Sequence, residues 1–153
     1  MINEATTTGP RASTSKMAGG LDLQSRTIAL LLPTLNELEG LKTVLPLIDR
    51  SLVDDVVVID GGSRDGTVEF ALDAGLTVVS QLRPGLHFAV FDVGQALPHD
   101  FIIEFSPDGN CKADQLPELV AKLREGYDHV VVSRGRHEGC RRRHGALVGL
   151  PGG

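Results

Sequence analysis

The sequence predicts an α/β fold in which an open, mostly parallel sheet carries helices on both faces. Two observations support this prediction: apolar runs of strand length alternate with helical stretches, and several runs are apolar throughout. A strand that is buried on both faces needs such a run, and a helix between two such strands implies a right-handed βαβ crossover. The predicted strands are 27–34, 53–60, 76–80, 101–105 and 129–133.

Helices are predicted in the segments that connect these strands. In the first helix, Asn36 is expected to act as the N-cap, and Pro46 is expected to kink or shorten the helix. The third helix is weakly marked because it contains two glycines, whereas the fourth has a regular apolar stripe. The predicted helices are 36–48, 65–74, 84–97 and 114–124.

Composition indicates one globular domain with an aliphatic core. The chain has 153 residues, 41% of them hydrophobic, but aromatic residues are only 4% and Trp is absent. The formal net charge of -5 argues against a general nucleic-acid binder, whose surface would be basic. Cys111 and Cys140 form no CxxC pair, which is typical of a reducing compartment without structural disulfides.

The chain divides into three parts by composition. Residues 1–25 are rich in Thr, Ser, Gly and Ala and are expected to form a disordered leader, and residues 26–134 carry the α/β pattern. Residues 135–153 are basic and Gly-rich without any period. They are expected to be a disordered tail, or an unrelated ending that follows truncation of the domain or a change of reading frame.

The sequence lacks the patterns of a membrane span and of a secretory signal, and these two absences bear on where the protein is expected to lie in the cell. No apolar run reaches the length of a membrane span, and no basic stretch followed by an apolar stretch marks a secretory signal. We therefore expect a cytoplasmic protein, and a peripheral position at the cytoplasmic membrane surface stays open as an alternative.

The stretch VVVIDGGSRDGT (56–67) ends a buried strand on a carboxylate and starts a helix soon after. Ligands of open parallel sheets bind beyond the carboxyl ends of the strands, where Asp60 is predicted to lie. Gly62 permits close approach of a ligand, and Asp65 lies at a helix start that favours anions. This pattern suits a nucleotide. In the alternative interpretation, Asp60 merely ends the strand and Ser63 or Asp65 merely caps the helix.

Several motifs together resemble glycosyltransferase family 2, in the order and spacing of that family. They are PTLNE (33–37), VVVIDGGSRDGT (56–67), FIIEFSPDGN (101–110) and LPELVAKLREGYDHVVVSRG (116–135). The similarity is greatest to the branch of polyprenyl-phosphate sugar transferases that includes dolichyl-phosphate mannosyltransferase. It implies a Rossmann-like fold of the A type, of which only the N-terminal, nucleotide-sugar-binding part would be present.

The resemblance also implies a nucleotide site. It assigns Pro33, Glu37 and Asp60 to the nucleotide pocket, with Asp60 near the base. Gly62, Ser63 and Asp65 complete this predicted site. No catalytic residue is assigned.

A metal site is implied where the family has its D-x-D motif. Here the motif reads Ser106-Pro107-Asp108, so the first carboxylate is replaced by Ser. Asp108 and Asn110 are then the candidate ligands of Mg²⁺ or Mn²⁺, because these ions also take oxygens from phosphate and water. The alternative is that SPDGN is only a tight turn. Arg134, at the end of the last predicted strand, is a candidate phosphate contact.

Three functions remain open at this point. The first is metal-assisted transfer of a sugar from a nucleotide-diphosphate sugar to a polyprenyl-phosphate or saccharide acceptor. The second is a truncated, non-catalytic remnant that keeps nucleotide binding and that tends to self-associate through an exposed sheet edge. The third, a nucleotidyltransferase, lacks support because no Gly-rich loop bearing Lys or Arg follows the first strand.

Overall fold

The computed structural model describes residues 22–133 and, as backbone, residues 146–149. The first four strands are β1 (Ile28–Thr34), β2 (Asp55–Asp60), β3 (Thr77–Ser80) and β4 (Phe101–Glu104). The helices are α1 (Leu38–Val44), α2 (Thr67–Asp73), α3 (Leu86–Ala96) and α4 (Leu116–Arg124). Strands β1 to β4 form one parallel sheet in the order β3-β2-β1-β4, so the predicted α/β fold is confirmed.

The core lies in two layers on either side of the central strand β1. Ile28, Leu30 and Leu32 pack on the face that also receives apolar side chains of α1, α2 and α4. Ala29 and Leu31 point to the opposite face, which is covered by α3. The continuous apolar run of β1 therefore reflects burial on both faces. The helices are distributed unequally, since α3 covers its face of the described sheet alone.

The first helix is shorter than predicted. It ends at Val44, and Leu45–Leu47 continues as a 3₁₀ turn that contains Pro46. Proline lacks the backbone N–H that an α-helix interior requires, so the predicted effect of Pro46 is confirmed. The expectation that Asn36 caps this helix is wrong. The N-cap is Glu37, and Asn36 adopts a left-handed conformation with φ of 55°.

The fifth predicted strand forms but does not join the main sheet. Strand β5 (Val130–Ser133) pairs in parallel with β6 (Ala146–Gly149), in a separate two-stranded sheet. The residues of β6 lie in the segment 135–153, for which we expected no regular structure, so that expectation is wrong for these four residues. The short apolar run ALVG supplies a partner for an otherwise unpaired strand edge. The predicted leader, 1–25, lies outside the described residues up to residue 21.

Within the described ranges, no helix has the length and apolar character that crossing a membrane requires. The longest, α3, has 11 residues. A span of the hydrocarbon core needs roughly 20 residues.

We predict that Leu31→Ala destabilises the fold, because Leu31 is 0% exposed and the sheet and α3 hold its surroundings in place. The expected loss is about 2–5 kcal/mol in the free energy of unfolding, measured by urea denaturation. Leu72→Ala is the matched control, since Leu72 is 57% exposed. Its expected change is within about 0.5 kcal/mol, and equal losses for the two variants would contradict the assigned core.

Candidate functional site

The loops that follow β1, β2 and β3 meet at one rim of the sheet. Because the strands are parallel, their carboxyl ends lie at the same edge. The register places Asp60 level with Thr34 on one side and with Ser80 on the other. The backbone N–H of Gln81 also donates to the Asp60 carbonyl over 2.8 Å. The rim of these three strands is thus a continuous surface.

Asp60 is buried at the end of β2, with an exposed fraction of 7%. Its carboxylate accepts hydrogen bonds from the backbone N–H groups of Gly62, at 2.8 Å, and Ser63, at 3.2 Å. Gly62 has φ of 101°, in the left-handed region that favours glycine. Asp60 therefore anchors the turn that leaves β2.

Asn36 connects the loop after β1 with the loop after β2. Its backbone N–H donates to the Ser63 hydroxyl over 2.9 Å, and its side-chain oxygen accepts from the Arg64 N–H over 2.9 Å. Asn36 is the one non-glycine residue with positive φ in the described part of the chain. Asparagine adopts this conformation at lower cost than most residues. Its two hydrogen bonds hold the strained conformation in place.

Asp65 supplies a second connection between the same loops. Its carboxylate accepts from the Leu38 N–H at the start of α1 over 3.1 Å, and from the Thr67 N–H at the start of α2 over 3.1 Å. The Thr67 hydroxyl donates to Asp65 over 2.5 Å and accepts from the Glu37 N–H over 3.0 Å. One carboxylate thus satisfies the first turns of two helices. We call the inter-loop clamp the six hydrogen bonds that join residues 36–38 to residues 63–67 or Asp65 to Thr67.

The inter-loop clamp also determines the ionisation of Asp65. The hydrogen bond from the Thr67 hydroxyl is the largest influence, and it lowers the pKa of Asp65 below its ordinary value. Partial desolvation opposes this effect, while the backbone N–H groups of Leu38 and Thr67 add to the lowering. The clamp therefore favours the charged form of Asp65.

The loop after β4 carries Asp108 and Asn110, the predicted metal ligands. Both are exposed. The Asp108 carboxylate accepts from the Asn110 backbone N–H over 2.8 Å and from its side-chain amide over 2.5 Å. The SPDGN segment is therefore a tight turn closed by Asp108. Turn formation and metal binding are compatible, since a carboxylate has about four lone-pair positions.

A close approach at Gly40 joins this loop to α1. A Cβ atom at Gly40 would lie 2.5 Å from the Pro107 carbonyl oxygen and 2.9 Å from Oε2 of Glu37. The absence of a side chain at Gly40 therefore lets α1 pack against the loop after β4. As a consequence, the half-buried Glu37 carboxylate lies beside the segment that carries Asp108.

The predicted site residues accordingly lie on the rim, apart from one that is outside the described residues. Pro33 lies near the end of β1, level with Ile59. Asp60 is the last residue of β2, and Asp108 lies in the loop after β4. These two strands flank β1, so they are separated by two strand spacings, roughly 10 Å in all. The remaining predicted nucleotide-binding residues are linked through the turn after β2 and the inter-loop clamp: Glu37, Gly62, Ser63 and Asp65. Arg134 lies outside the described residues.

Sequence reasoning missed two residues that shape the rim, Gly40 and Gln81, and it missed the contact that Thr67 makes with Glu37. A glycine inside a predicted helix indicates close packing, so Gly40 carried a signal. Thr67 belongs to the quoted DGT motif, but its bond to Glu37 connects residues 30 positions apart and has no local signature. Gln81 follows β3 and carries no pattern that distinguishes it from other polar residues.

The donor atoms at the rim fit a divalent cation that arrives with a phosphate ligand. No cluster of three or more His, Cys, Asp or Glu side chains suited to a metal occurs in the described part of the chain. Asp108 offers a carboxylate and Asn110 an amide on the same turn. Mg²⁺ is commonly held by one or two carboxylates together with substrate phosphates and water, which is the kind of site that this pair fits.

A separate cavity of about 600 Å³ lies between β4, α4 and β5. Its walls are the β4 edge remote from β1 and apolar side chains of α4, including Leu116 and Leu119. Asn110 lines it, whereas neither Asp60 nor Glu37 does. We therefore place the candidate nucleotide site on the open rim rather than in this cavity.

The family model of glycosyl transferase family 2 matches residues 29–146. The chain belongs to this family. The glycosyltransferase AglJ of Haloferax volcanii is 37% identical over 108 residues, which are 70% of this chain and 36% of that protein. The undecaprenyl-phosphate 4-deoxy-4-formamido-L-arabinose transferase of Shewanella sediminis is 28% identical over 133 residues, or 76% of this chain and 39% of that protein.

A solved structure shares the fold of this chain. Glucosyl-3-phosphoglycerate synthase from Mycobacterium tuberculosis, in complex with Mn²⁺, uridine-diphosphate-glucose and glycerol 3-phosphate, superposes with a TM-score of 0.64 at 32% identity. The match covers 74% of this chain and 46% of the synthase. The chain thus spans less than half the length of these relatives.

We predict opposite effects for two helical Gly→Ala substitutions. In Gly40→Ala the new Cβ would press on the Pro107 carbonyl, a backbone atom that cannot rotate away, so a loss of about 1–3 kcal/mol in unfolding free energy is expected. In the matched control Gly94→Ala, the nearest atom, on Ile102, is 3.8 Å away. There we expect no loss or a gain of up to about 1 kcal/mol from helix propensity. Urea denaturation measures both, and a neutral Gly40→Ala would contradict the close approach.

The hydrogen bonds of the inter-loop clamp predict that the stability of the fold depends on pH. Since the folded pKa of Asp65 is lowered, the clamp contributes stability above the unfolded pKa of about 3.8 and loses it as the pH falls through the folded value. The stability advantage of the wild type over Asp65→Asn should therefore be full near pH 7 and shrink below about pH 4. Urea midpoints measured from neutral to acidic pH test this.

Ser63→Ala serves as the control for that experiment. It removes the Ser63 oxygen that accepts from the Asn36 N–H but no carboxylate, so its difference from the wild type should not vary with pH. An Asp65→Asn difference that is equally constant from neutral to acidic pH would show that the clamp does not depend on the charge of Asp65.

Proposed function

We propose that this chain is the nucleotide-sugar-binding part of a glycosyltransferase that uses a nucleotide-diphosphate sugar and Mg²⁺ or Mn²⁺. The observation that carries the proposal is the convergence of Glu37, Asp60 and Asp108 on one rim of a parallel sheet. The turn at Gly62 and the contact at Gly40 support this convergence. Membership of glycosyl transferase family 2 supports the reaction class.

The donor would lie along the rim, from the end of β2 to the loop after β4. In this arrangement Asp60 faces the base and the diphosphate extends toward Asp108, which agrees with the strand order β2-β1-β4. A uridine diphosphate sugar is the first donor to test, because a structural neighbour of 32% identity was crystallised with uridine-diphosphate-glucose. The inter-loop clamp would keep the base-side loops in one arrangement before the donor binds.

Asp108 and Asn110 are the residues that would hold the cation. When bound, such a cation neutralises charge that develops on the leaving diphosphate. Glu37 lies beside the same loop, and it adds negative charge that favours a cation there. Because the chain offers one carboxylate and one amide on the turn, cation binding is expected to depend on the diphosphate.

For the acceptor we propose a polyprenyl phosphate or a saccharide. One relative of 28% identity is named as an undecaprenyl-phosphate transferase, which supports the first of these. A phosphate acceptor is already anionic, so the reaction would need only a weak general base or none. We assign no catalytic base among the described residues.

The second candidate is a non-catalytic nucleotide-binding protein. The observation that favours it is the segment Ser106-Pro107-Asp108, in which Ser replaces the first of the two carboxylates of the D-x-D motif. Both candidates require nucleotide binding at the rim. They differ in turnover of the donor.

The test is isothermal titration calorimetry of the full chain with uridine diphosphate, with and without Mn²⁺. We expect Mn²⁺ to strengthen binding, and Asp108→Ala to reduce that gain about tenfold or more because it removes the carboxylate ligand. Asp114→Ala, an exposed carboxylate in the Ala113–Gln115 turn, is the control and should change nothing.

Donor turnover then separates the two candidates. Release of uridine diphosphate from uridine-diphosphate-glucose that Asp108→Ala abolishes supports the enzyme. Binding without turnover supports the nucleotide-binding protein. If Mn²⁺ has no effect, or if Asp114→Ala and Asp108→Ala act equally, the site proposed at the rim is wrong.

A further inference from the structure

Gln81 is the first residue after β3, and its side chain lies at the rim beside the turn that leaves β2. The Gln81 backbone N–H donates to the Asp60 carbonyl over 2.8 Å, which extends the pairing of β2 with β3 by one residue. A Cβ atom placed on Gly61 would lie 3.2 Å from Oε1 of Gln81. The side-chain oxygen of Gln81 therefore lies close to the backbone that follows Asp60.

Two hydrogen bonds fix the orientation of the Gln81 side-chain amide. Its Nε2 donates to the Arg83 carbonyl and, over 2.8 Å, to the Gly85 carbonyl. A side-chain amide has two N–H donors on its nitrogen, and only these can satisfy two carbonyl acceptors. Oε1 is consequently the atom that faces Gly61, and in the described part of the chain no hydrogen-bond donor contacts it. Gln81 thus presents a hydrogen-bond acceptor that is held in one position.

The space beside Oε1 has an apolar side chain on its other border. The same added Cβ on Gly61 would lie 3.3 Å from the Thr34 carbonyl oxygen and 3.6 Å from the Cβ of Leu35, a residue that is 58% exposed. Because Gly61 has no side chain, it leaves room between Leu35 and the Gln81 amide. Apolar surface with a few fixed polar groups is typical of small-molecule sites, in which the polar groups determine orientation and specificity.

We propose that Gln81 selects the base of the donor by accepting a hydrogen bond from the N3–H group of uracil. This inference rests on the proposed function, which places the base next to Asp60, and it adds a residue that distinguishes one base from another. In a uridine nucleotide, N3–H is the single N–H group of the base, so it is the group that a fixed acceptor binds. Cytosine carries no hydrogen at N3 and presents a lone pair there. Oε1 would therefore favour uracil over cytosine held in the same orientation.

Asp60 is less suited to this selection than Gln81. The Asp60 carboxylate is buried, and it already accepts from the N–H groups of Gly62 and Ser63. These hydrogen bonds hold it against the turn after β2. Gln81 is half-buried, and its Oε1 has no such donor among the described residues. Asp60 then stabilises the turn beside which the base lies, and Gln81 contacts the hydrogen-bonding edge of the base.

The test is isothermal titration calorimetry of the full chain with uridine diphosphate and with cytidine diphosphate, each in the presence of Mn²⁺. We expect the wild type to bind cytidine diphosphate about tenfold more weakly, because it lacks the hydrogen bond to Oε1. Gln81→Met preserves the length of the side chain but removes the amide oxygen, so the ratio of the two dissociation constants should fall below about threefold. Gln95→Met, which replaces an exposed glutamine of α3, is the matched control and should keep the wild-type ratio.

The ratio of the two dissociation constants separates base selection from a structural role of Gln81. Loss of the hydrogen bonds to the Arg83 and Gly85 carbonyls would disturb the loop, but it would weaken both nucleotides alike and leave the ratio unchanged. Gly61→Ala is a second variant that retains these hydrogen bonds. It places a methyl group against Oε1, and Gly61 is not among the residues with positive φ, so alanine fits its backbone. We expect Gly61→Ala to lower the ratio as well.

A wild type without preference for uridine diphosphate overturns the proposal, and so does a Gln81→Met or Gly61→Ala variant that keeps the preference. If uridine diphosphate binding still responds to Mn²⁺ and to Asp108→Ala, the proposed function stands and only the role of Gln81 is wrong. If the wild type binds neither nucleotide, the proposed function fails, and the role of Gln81 fails with it.

Discussion

The arrangement of the rim depends on one carboxylate, that of Asp65. It accepts hydrogen bonds from the first turns of α1 and α2, and through Thr67 it also positions the backbone of Glu37. The N–H groups at a helix start have no partner within the helix, so two helices that share one acceptor are held at a defined distance. Asn36 keeps its left-handed conformation inside the same network. The loops after β1 and β2 therefore behave as one unit.

The loop after β4 is positioned differently, by packing. At Gly40 the Pro107 carbonyl and the Glu37 carboxylate occupy the space that a Cβ would need. Hydrogen bonds thus position the half of the rim near Asp60, and a close backbone contact positions the half near Asp108. This division suits an elongated ligand, whose base needs directional contacts and whose diphosphate is held largely by charge.

The helices cover the two faces of the sheet unequally. Three helices share one face of the described sheet, whereas α3 covers the other. A single helix on a face needs apolar residues on its inner side only, so its outer apolar residues have no role in the core. Phe88 and Phe91, on the outer side of α3, are two of the six Phe and Tyr residues in this sequence. Their side chains are 40% and 50% exposed in the described part of the chain.

The sequence by itself determined the strands and helices of the main sheet, and it predicted the edge at which we propose that the ligand binds. Continuous apolar runs identified β1 and β2, because a strand that is buried on both faces needs apolar side chains at successive positions. Pro46 marked the end of α1, because proline lacks the backbone N–H that a helix interior requires. Tertiary structure alone decided that β5 pairs outside the main sheet, that Asn36 bonds to a neighbouring loop, and that Glu37 lies beside Pro107. Each of these depends on contacts between residues far apart in the chain, which no local pattern encodes.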